Sequence, residues 1–362
     1  MRIAVAVSGG VDSLCALLLL RRAGHEVMAV HGFFLHETAG PSAALPGLQA
    51  ACHALDVPLH VVDLRAHFQQ AVITPFAQAY AAGQTPNPCA LCNRAVKFGA
   101  LLEAALQRGA DRLATGHYAR LLHDQQGNLT GLAAAADQHK DQSYFLSLVP
   151  SARLALALFP LAAQNKADSV AMVRGAGLPI PVPRESQDIC FVPTGHVAYH
   201  DVLAGQWSRA GLPTPPGGPM LLAETHEQPV ESMRTVGRHQ GLWRHTEGQR
   251  KGLGIAHSEA LYVLRKDMQH NALILGSRSL LGMQGCRTGM ANVFVPPADW
   301  PLQPLVRLRY RQSALHCRAE LVEGCLHIHL EDPCFPSAPG QVAALYDKEG
   351  RVLAAGLIHD CY

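Results

Sequence analysis

The tightest constraint on this chain is the hexapeptide Ser8-Gly9-Gly10-Val11-Asp12-Ser13, because of what flanks it. Residues 2–8 (RIAVAVS) form an unbroken run of β-branched residues and alanine, which predicts a buried parallel strand. Leu14–Arg22 predicts a helix, with Gly24 as its stop. A glycine turn between strand and helix aims backbone N–H groups and the helix N-terminus at whatever sits above the strand end. That arrangement favours an anion, and the glycines let the backbone come close to it. Asp12 or Ser13 can cap the helix, and Ser8 and Ser13 can donate to phosphate oxygens. Val27–Phe34 predicts the next strand and completes a βαβ unit. Leu45–Leu55 (helix), Leu59–Leu64 (strand), Val96–Gln107 (helix, stopped by Gly109) and Arg112–Thr115 (strand) continue the alternation. The expected class is α/β, an N-terminal doubly wound parallel sheet.

A chain of 362 residues is too long for one ordinary core, and its texture changes after Leu203. Residues 211–218 (GLPTPPGG) have the composition of a linker. Short strand signals follow: LYVLRKD, NALILG, LVRLRYR, CLHIHLED and QVAALYD. Three units are expected: 1–203, a small central module at 204–275, and a C-terminal β-barrel at 276–362. Arg309 and Arg311 alternate on one of these strands and would share a face. Trp207 and Trp243 suit core packing better than base stacking. The N-terminus has no basic leader, and the apolar run Leu14–Leu20 is too short for a bilayer, so a cytosolic protein without a membrane partner is expected. Residues 196–320 carry 14 Lys and Arg against 9 Asp and Glu, while the rest carries 16 against 19. A basic second half suits an RNA partner, and equally a solvated surface.

SGGVDS is neither a Walker A loop, since no Gly-Lys-Ser/Thr follows, nor a GxGxxG turn. It resembles the signature of the ATP pyrophosphatase (PP-loop) enzymes, which cleave ATP between the α and β phosphates and form adenylates. A tight turn in a ligand-free α/β protein is the plain alternative.

Of ten cysteines, Cys15, Cys52, Cys286, Cys317, Cys325 and Cys361 lie in apolar or strand-like settings and read as small buried hydrophobes. Cys89 and Cys92 lie in TPNPCALCNRAVKF, just before a helix, and Cys190 lies in PRESQDICFV. A helix N-terminus with Arg94 and Lys97 nearby would favour a thiolate at Cys92. Structural zinc needs a second ligand pair that is missing at metal spacing. A thioredoxin-like site and sulfur handling by Cys92 with Cys190 are the other readings.

Seven blocks in order resemble the bacterial tRNA-specific 2-thiouridylase family over essentially the whole chain. They are SGGVDS, TPNPCALCN with VKF, Ala114–Arg120 (ATGHYAR), Lys140–Phe145 (KDQSYF), Asp188–Phe191 (DICF), Gly248–Gly254 (GQRKGLG), and the barrel pieces Arg309-Tyr310-Arg311 and Pro339-Gly340-Gln341. The resemblance implies an ATP site at Ala6, Val7, Ser8, Gly9, Gly10, Val11, Asp12, Ser13, Leu35 and Gly116, with Mg²⁺ on the phosphates. It implies tRNA contacts at Asn87, Pro88, His117, Lys140, Asp141, Gln142, Arg309, Tyr310 and Gln341. It further implies that ATP adenylates the C2 oxygen of the wobble uridine, that Cys190 would carry a persulfide whose outer sulfur replaces that oxygen, and that Cys92 would resolve it through a transient Cys92–Cys190 disulfide. The sulfur donor would be a relay protein fed by a cysteine desulfurase, or sulfide. The logic holds chemically: adenylation supplies the leaving group, and anionic sulfur is the nucleophile.

Two departures stand out. The family usually has aspartate at Cys89, and a thiol is a poor substitute for a carboxylate acceptor. Other tRNA thiolases hold a [4Fe–4S] cluster on three cysteines, so Cys89, Cys92 and Cys190 allow that chemistry as well as the persulfide route. In Phe34-Leu35-His36 the family's usual lysine is missing. A PP-loop amide ligase, or a non-catalytic RNA-binding or sulfur-carrier protein, are the alternatives from other classes.

Overall fold

The computed structural model describes residues 1–35, 44–182, 189–192 and 199–362. His36 and Asp188, both within the sequence blocks above, lie outside them.

Residues 2–6, all apolar after Arg2, form the central strand of a five-stranded parallel sheet. Glu26–Phe33 and then Leu59–Asp63 lie on one side of it, Arg112–Ala114 and Ala157–Leu158 on the other. The chain therefore reverses its direction of winding at Arg2–Ala6. In open α/β sheets the crevice at such a reversal, beyond the carboxyl ends of the strands, is where ligands bind. The glycine turn leaves the sheet at that crevice, and the helix Val11–Arg22 follows. One face of the sheet packs against this helix through Leu14, Leu17 and Leu18, and the other buries Val96, Phe98 and Leu102.

The helix expected at Val96 starts eight residues earlier. Pro88–Cys92 is α-helical, Asn93–Leu101 continues as π-helix and Leu102–Gln107 as α-helix. Asn87 sets the start by accepting from Ala90 N at 3.2 Å, and Pro88 at the first position needs no N–H partner.

The helix Tyr199–Arg209 packs on the first module, with Trp207 Nε1 donating to Ala77 O at 3.1 Å. Trp207 and Trp243 are buried edge to face, their centroids 5.1 Å apart, in a cluster with Phe76 and Tyr80. A four-stranded sheet follows, in the order Tyr262–Asp267, Ala272–Gly276, Gly218–Leu222, Arg234–His239. Six antiparallel strands then close on themselves, Met283–Met290 pairing with both Cys325–Cys334 and Val352–Cys361. Closure removes the exposed edges that an open sheet would leave.

The expected strand LVRLRYR is cut short. Only Leu305–Arg307 is extended, and Arg311 takes a left-handed conformation with φ of 62°. Arg309 and Arg311 therefore do not share a strand face.

Candidate active site

Ser8–Ser13 closes on itself. Ser13 Oγ donates to Gly10 O at 2.9 Å and accepts from Ser8 N at 3.2 Å. Above the turn lies a cavity of 330 Å³, within the range of small-ligand sites. Ala6, Val7, Ser8, Asp12, Ser13, Gly116, His117 and Gln142 all line it, so eight residues expected at nucleotide or RNA come together here. Gly9, Gly10 and Val11 form the turn and the first helical residue. Leu35 packs against the core, and Phe34 takes the place on the cavity wall. Gly116 is a necessity of packing: a Cβ there would sit 2.6 Å from Asp12 C and 2.8 Å from Ser13 N.

Two lysines join the site. Lys166 Nζ bonds both Asp12 carboxylate oxygens at 2.7 Å, and Tyr118 Oη donates to one of them at 2.9 Å. Lys166 opens the helix Lys166–Gly175, 154 positions from Asp12, and no local signal marks it. Lys97 lines the cavity with its Nζ 3.4 Å from His117 Nε2. His117 is buried, with Nδ1 2.7 Å from Thr115 Oγ1. Burial first, and Lys97 second, hold its imidazole well below the usual range, so it is neutral.

Cys92 is buried, and Cys89 and Cys190 keep exposed surface. Each of the three thiols feels the charge of Lys97. The surroundings of Cys92 oppose the thiolate expected there. Cys92 ends the Pro88–Cys92 turn, Arg94 points to solvent, and burial pushes the thiol up to about 12 against the pull of Lys97. Desolvation also raises Cys89 and Cys190.

The segment before the cysteines is gripped from outside its module. Thr85 N donates to Pro339 O at 2.8 Å and Asn87 N to Gly340 O at 3.2 Å. Gln341 Nε2 donates to Thr85 O at 2.8 Å, and Lys266 Nζ to Gly83 O at 2.7 Å. Lys266 pairs with Glu247 at 3.5 Å, their side chains 2% and 9% exposed. Gly340, with φ of 92°, lies against Thr85, where a Cβ would meet backbone at 3.1 Å.

Several residues expected to touch tRNA are engaged within the chain. Asp141 has a side chain 2% exposed that accepts from Ala135 N, Ser143 N and Ser143 Oγ and pairs with Arg307 at 2.7 Å. It anchors the loop that presents Lys140 and Gln142. Gln142 Oε1 accepts from Tyr118 N at 3.0 Å. Arg309 donates to Pro336 O and Glu247 O, and Tyr310 lies on Phe145 with ring centroids 4.3 Å apart. Asn87 and Pro88 are buried.

Three family models match in succession: "tRNA methyl transferase HUP domain" over residues 1–194, "tRNA methyl transferase PRC-barrel domain" over 226–277, and "Aminomethyltransferase beta-barrel domain" over 283–358. Curated relatives cover 99% of this chain and 99% of their own length. Among them are the tRNA-specific 2-thiouridylase MnmA of Oleidesulfovibrio alaskensis (48% identical), of Nitratidesulfovibrio vulgaris strain Miyazaki F (46%) and of Lawsonia intracellularis (44%). The models' labels speak of methyl transfer and the relatives' names of thiolation. The relatives decide, because they match along the entire chain at high identity, and this chain belongs to the tRNA-specific 2-thiouridylase family.

Proposed function

We propose that the chain is an ATP-dependent tRNA-uridine 2-sulfurtransferase working through a persulfide on Cys190 and a resolving thiol on Cys92. What supports this reading is one side chain: Lys97 lines the nucleotide cavity and follows Cys92 by five residues on the same continuous helix, with Cys89 and Cys190 also within range of its charge, so phosphate and sulfur chemistry lie side by side.

The C2 oxygen of the uridine attacks the α-phosphorus of ATP, and pyrophosphate leaves. The outer sulfur of the Cys190 persulfide attacks C2 and AMP departs, leaving the base joined to Cys190 through two sulfurs. Cys92 sulfur then attacks Cys190 Sγ. That bond change releases 2-thiouridine and leaves a Cys92–Cys190 disulfide, which an external thiol reduces. The target base has to leave its stack to reach both centres. Backbone N–H groups of the Ser8–Ser13 turn and the helix N-terminus take the phosphates. Mg²⁺ supplies charge neutralisation on them. Asp12, the one carboxylate among the described residues lining the cavity, is the side chain that would hold it, in competition with Lys166.

The three-cysteine cluster fits less well. Among the described residues no group of three His, Cys, Asp or Glu gathers as a metal-ligand set. Burial of Cys92 opposes the thiolate that iron needs. Sulfur transfer in this reading runs through the persulfide and not through a cluster. Anaerobically purified protein is expected to hold no iron or acid-labile sulfide, and about four of each per chain would reverse that choice.

We also propose three modules in the order expected, but the expected boundary at 203/204 falls inside the helix Tyr199–Arg209 and that at 275/276 inside the strand Ala272–Gly276, so the first belongs after Arg209 and the second after Gly276. Among the described residues no helix is long and apolar enough to cross a membrane. A cytosolic setting, with sulfur from a desulfurase-fed relay or sulfide, suits thiols that have to stay reduced.

The test is nucleoside mass spectrometry of tRNA after anaerobic incubation with ATP, Mg²⁺ and a sulfur source. Wild type is expected to form 2-thiouridine, Cys92→Ser and Cys190→Ser to form none, and Cys89→Ser to retain it. Turnover of ATP with amide formation, unaffected by either serine change, would point to a ligase instead. Absence of tRNA-dependent ATP–pyrophosphate exchange would point to a non-catalytic carrier.

A further inference from the structure

Lys97 and Lys166 flank the same cavity but stand in different electrostatic positions. Lys166 has a carboxylate, Asp12, at 2.7 Å. Lys97 is half-buried in the π-helical segment and faces a neutral histidine. A neutral His117 accepts from the ammonium through Nε2, which places its proton on Nδ1, donating to Thr115 Oγ1. None of the ion pairs among the described residues involves Lys97. A half-buried ammonium whose hydrogen-bond partner is a neutral ring leaves its charge uncompensated and open to an anion that comes to it. Two kinds of anion can come to it. One is a phosphate chain in the cavity that Lys97 lines, and the other is sulfur on Cys92, five residues before it on the same continuous helix, or on Cys89 and Cys190, which also lie within range of its charge.

We propose that Lys97 is a catalytic residue shared by both halves of the reaction, its ammonium contacting the α-phosphate during adenylate formation and stabilising anionic sulfur on the cysteines. The inference rests on the sulfurtransferase reading above for the identity of the second half. Lys97 neither gives nor takes a proton in either step, and His117 fixes its position. Sharing one cation has a consequence: phosphate and sulfur anion compete for it. A nucleotide in the cavity therefore weakens the stabilisation of anionic sulfur, and anionic sulfur weakens nucleotide binding by the same factor. Competition of this kind holds the sulfur nucleophile back while intact ATP is bound.

Three readouts test this on the full chain: tRNA-dependent ATP–pyrophosphate exchange, iodoacetamide alkylation of Cys190 at one fixed pH, and the effect of a non-hydrolysable ATP analogue on that alkylation. Lys97→Met is expected to lower exchange about 100-fold, the usual size of losing one electrostatic stabiliser. It should also slow alkylation and abolish the analogue's inhibitory effect. Lys97→Arg, which keeps the charge, should restore alkylation and part of the exchange. Protection by the analogue that persists in Lys97→Met at saturating analogue means simple steric cover and overturns the shared-cation role. Exchange within twofold of wild type in Lys97→Met overturns the α-phosphate role. If Lys97→Met does not fold, Lys97→Gln and Lys97→Arg carry the same comparison. Wild type that makes no 2-thiouridine but shows Lys97-dependent exchange removes the sulfurtransferase reading and supports the phosphate contact. Wild type that makes 2-thiouridine alongside a fully active Lys97→Met removes only the role of Lys97.

Discussion

The turn Ser8–Ser13 is closed by side-chain bonds between residues three and five positions apart, whereas side chains 181 to 256 positions away hold the segment Gly83–Pro86. Both serve one reaction, and both belong to the first module. The phosphate turn needs only its own strand and helix to take shape. The cysteine segment takes its shape from Lys266 of the central sheet and from Pro339, Gly340 and Gln341 of the barrel. The difference teaches where each property can be lost: nucleotide binding by local change, sulfur transfer by change far away in the chain.

Lys266→Met should break the comparison hardest. It leaves Glu247 buried without its partner and frees Gly83 O, at an expected cost of about 3–5 kcal/mol in a denaturant melt. Sulfur transfer should fall more than ATP affinity. An unchanged melt would mean that the central sheet does not hold the segment. Gly116→Ala is the local counterpart. Its Cβ at 2.6 Å from Asp12 C forces the phosphate turn to shift, at about 1–3 kcal/mol. Calorimetry should record weaker ATP binding, while cysteine alkylation without nucleotide stays as in wild type.

The third prediction concerns pH. A thiol that burial raises from its ordinary 9.0 to about 12 keeps its proton in the folded chain after the unfolded chain has lost it. Stability from Cys92 is full below pH 9 and declines as pH rises toward 12, by up to about 1.4 kcal/mol per pH unit. Cys52, Cys317 and Cys361, raised to about 11, 12 and 12, act in the same direction. Urea melts from pH 8 to 11 should fall, and less steeply in Cys92→Ala; parallel slopes would place Cys92 in contact with water. Smallest is Gln341→Ala, which removes a bond to Thr85 O worth about 1 kcal/mol. It should slow sulfur transfer and leave ATP affinity unchanged. Equal losses in both would show the segment and the cavity moving together.

Much of the site was legible in order along the chain. SGGVDS read correctly because strand, turn and helix are contiguous, so pattern and geometry coincide. Gly116, singled out by resemblance for nucleotide, and His117 and Gln142, singled out for tRNA, line the same cavity. Lys166 was missed because its partner Asp12 lies 154 residues away in another element. The burial of Asp141 was not legible because a charged residue in a polar block reads as surface, and only the barrel brings Arg307 to it. Arg309 and Arg311 misled because alternation continues past Arg307 in sequence while the strand stops there.

By itself, the sequence determined the parallel sheet, the glycine turn at its reversal point, the β-rich second half and the family. These depend on short-range pattern, which steric and hydrophobic rules convert directly into strands, turns and helices. The tertiary structure alone decided the charge states. It buried Cys92 until its thiol was no longer acidic, gave Asp12 a lysine, and set Lys97 against a neutral histidine. Ionisation depends on which groups desolvate one another through space, and no spacing along a chain encodes that distance.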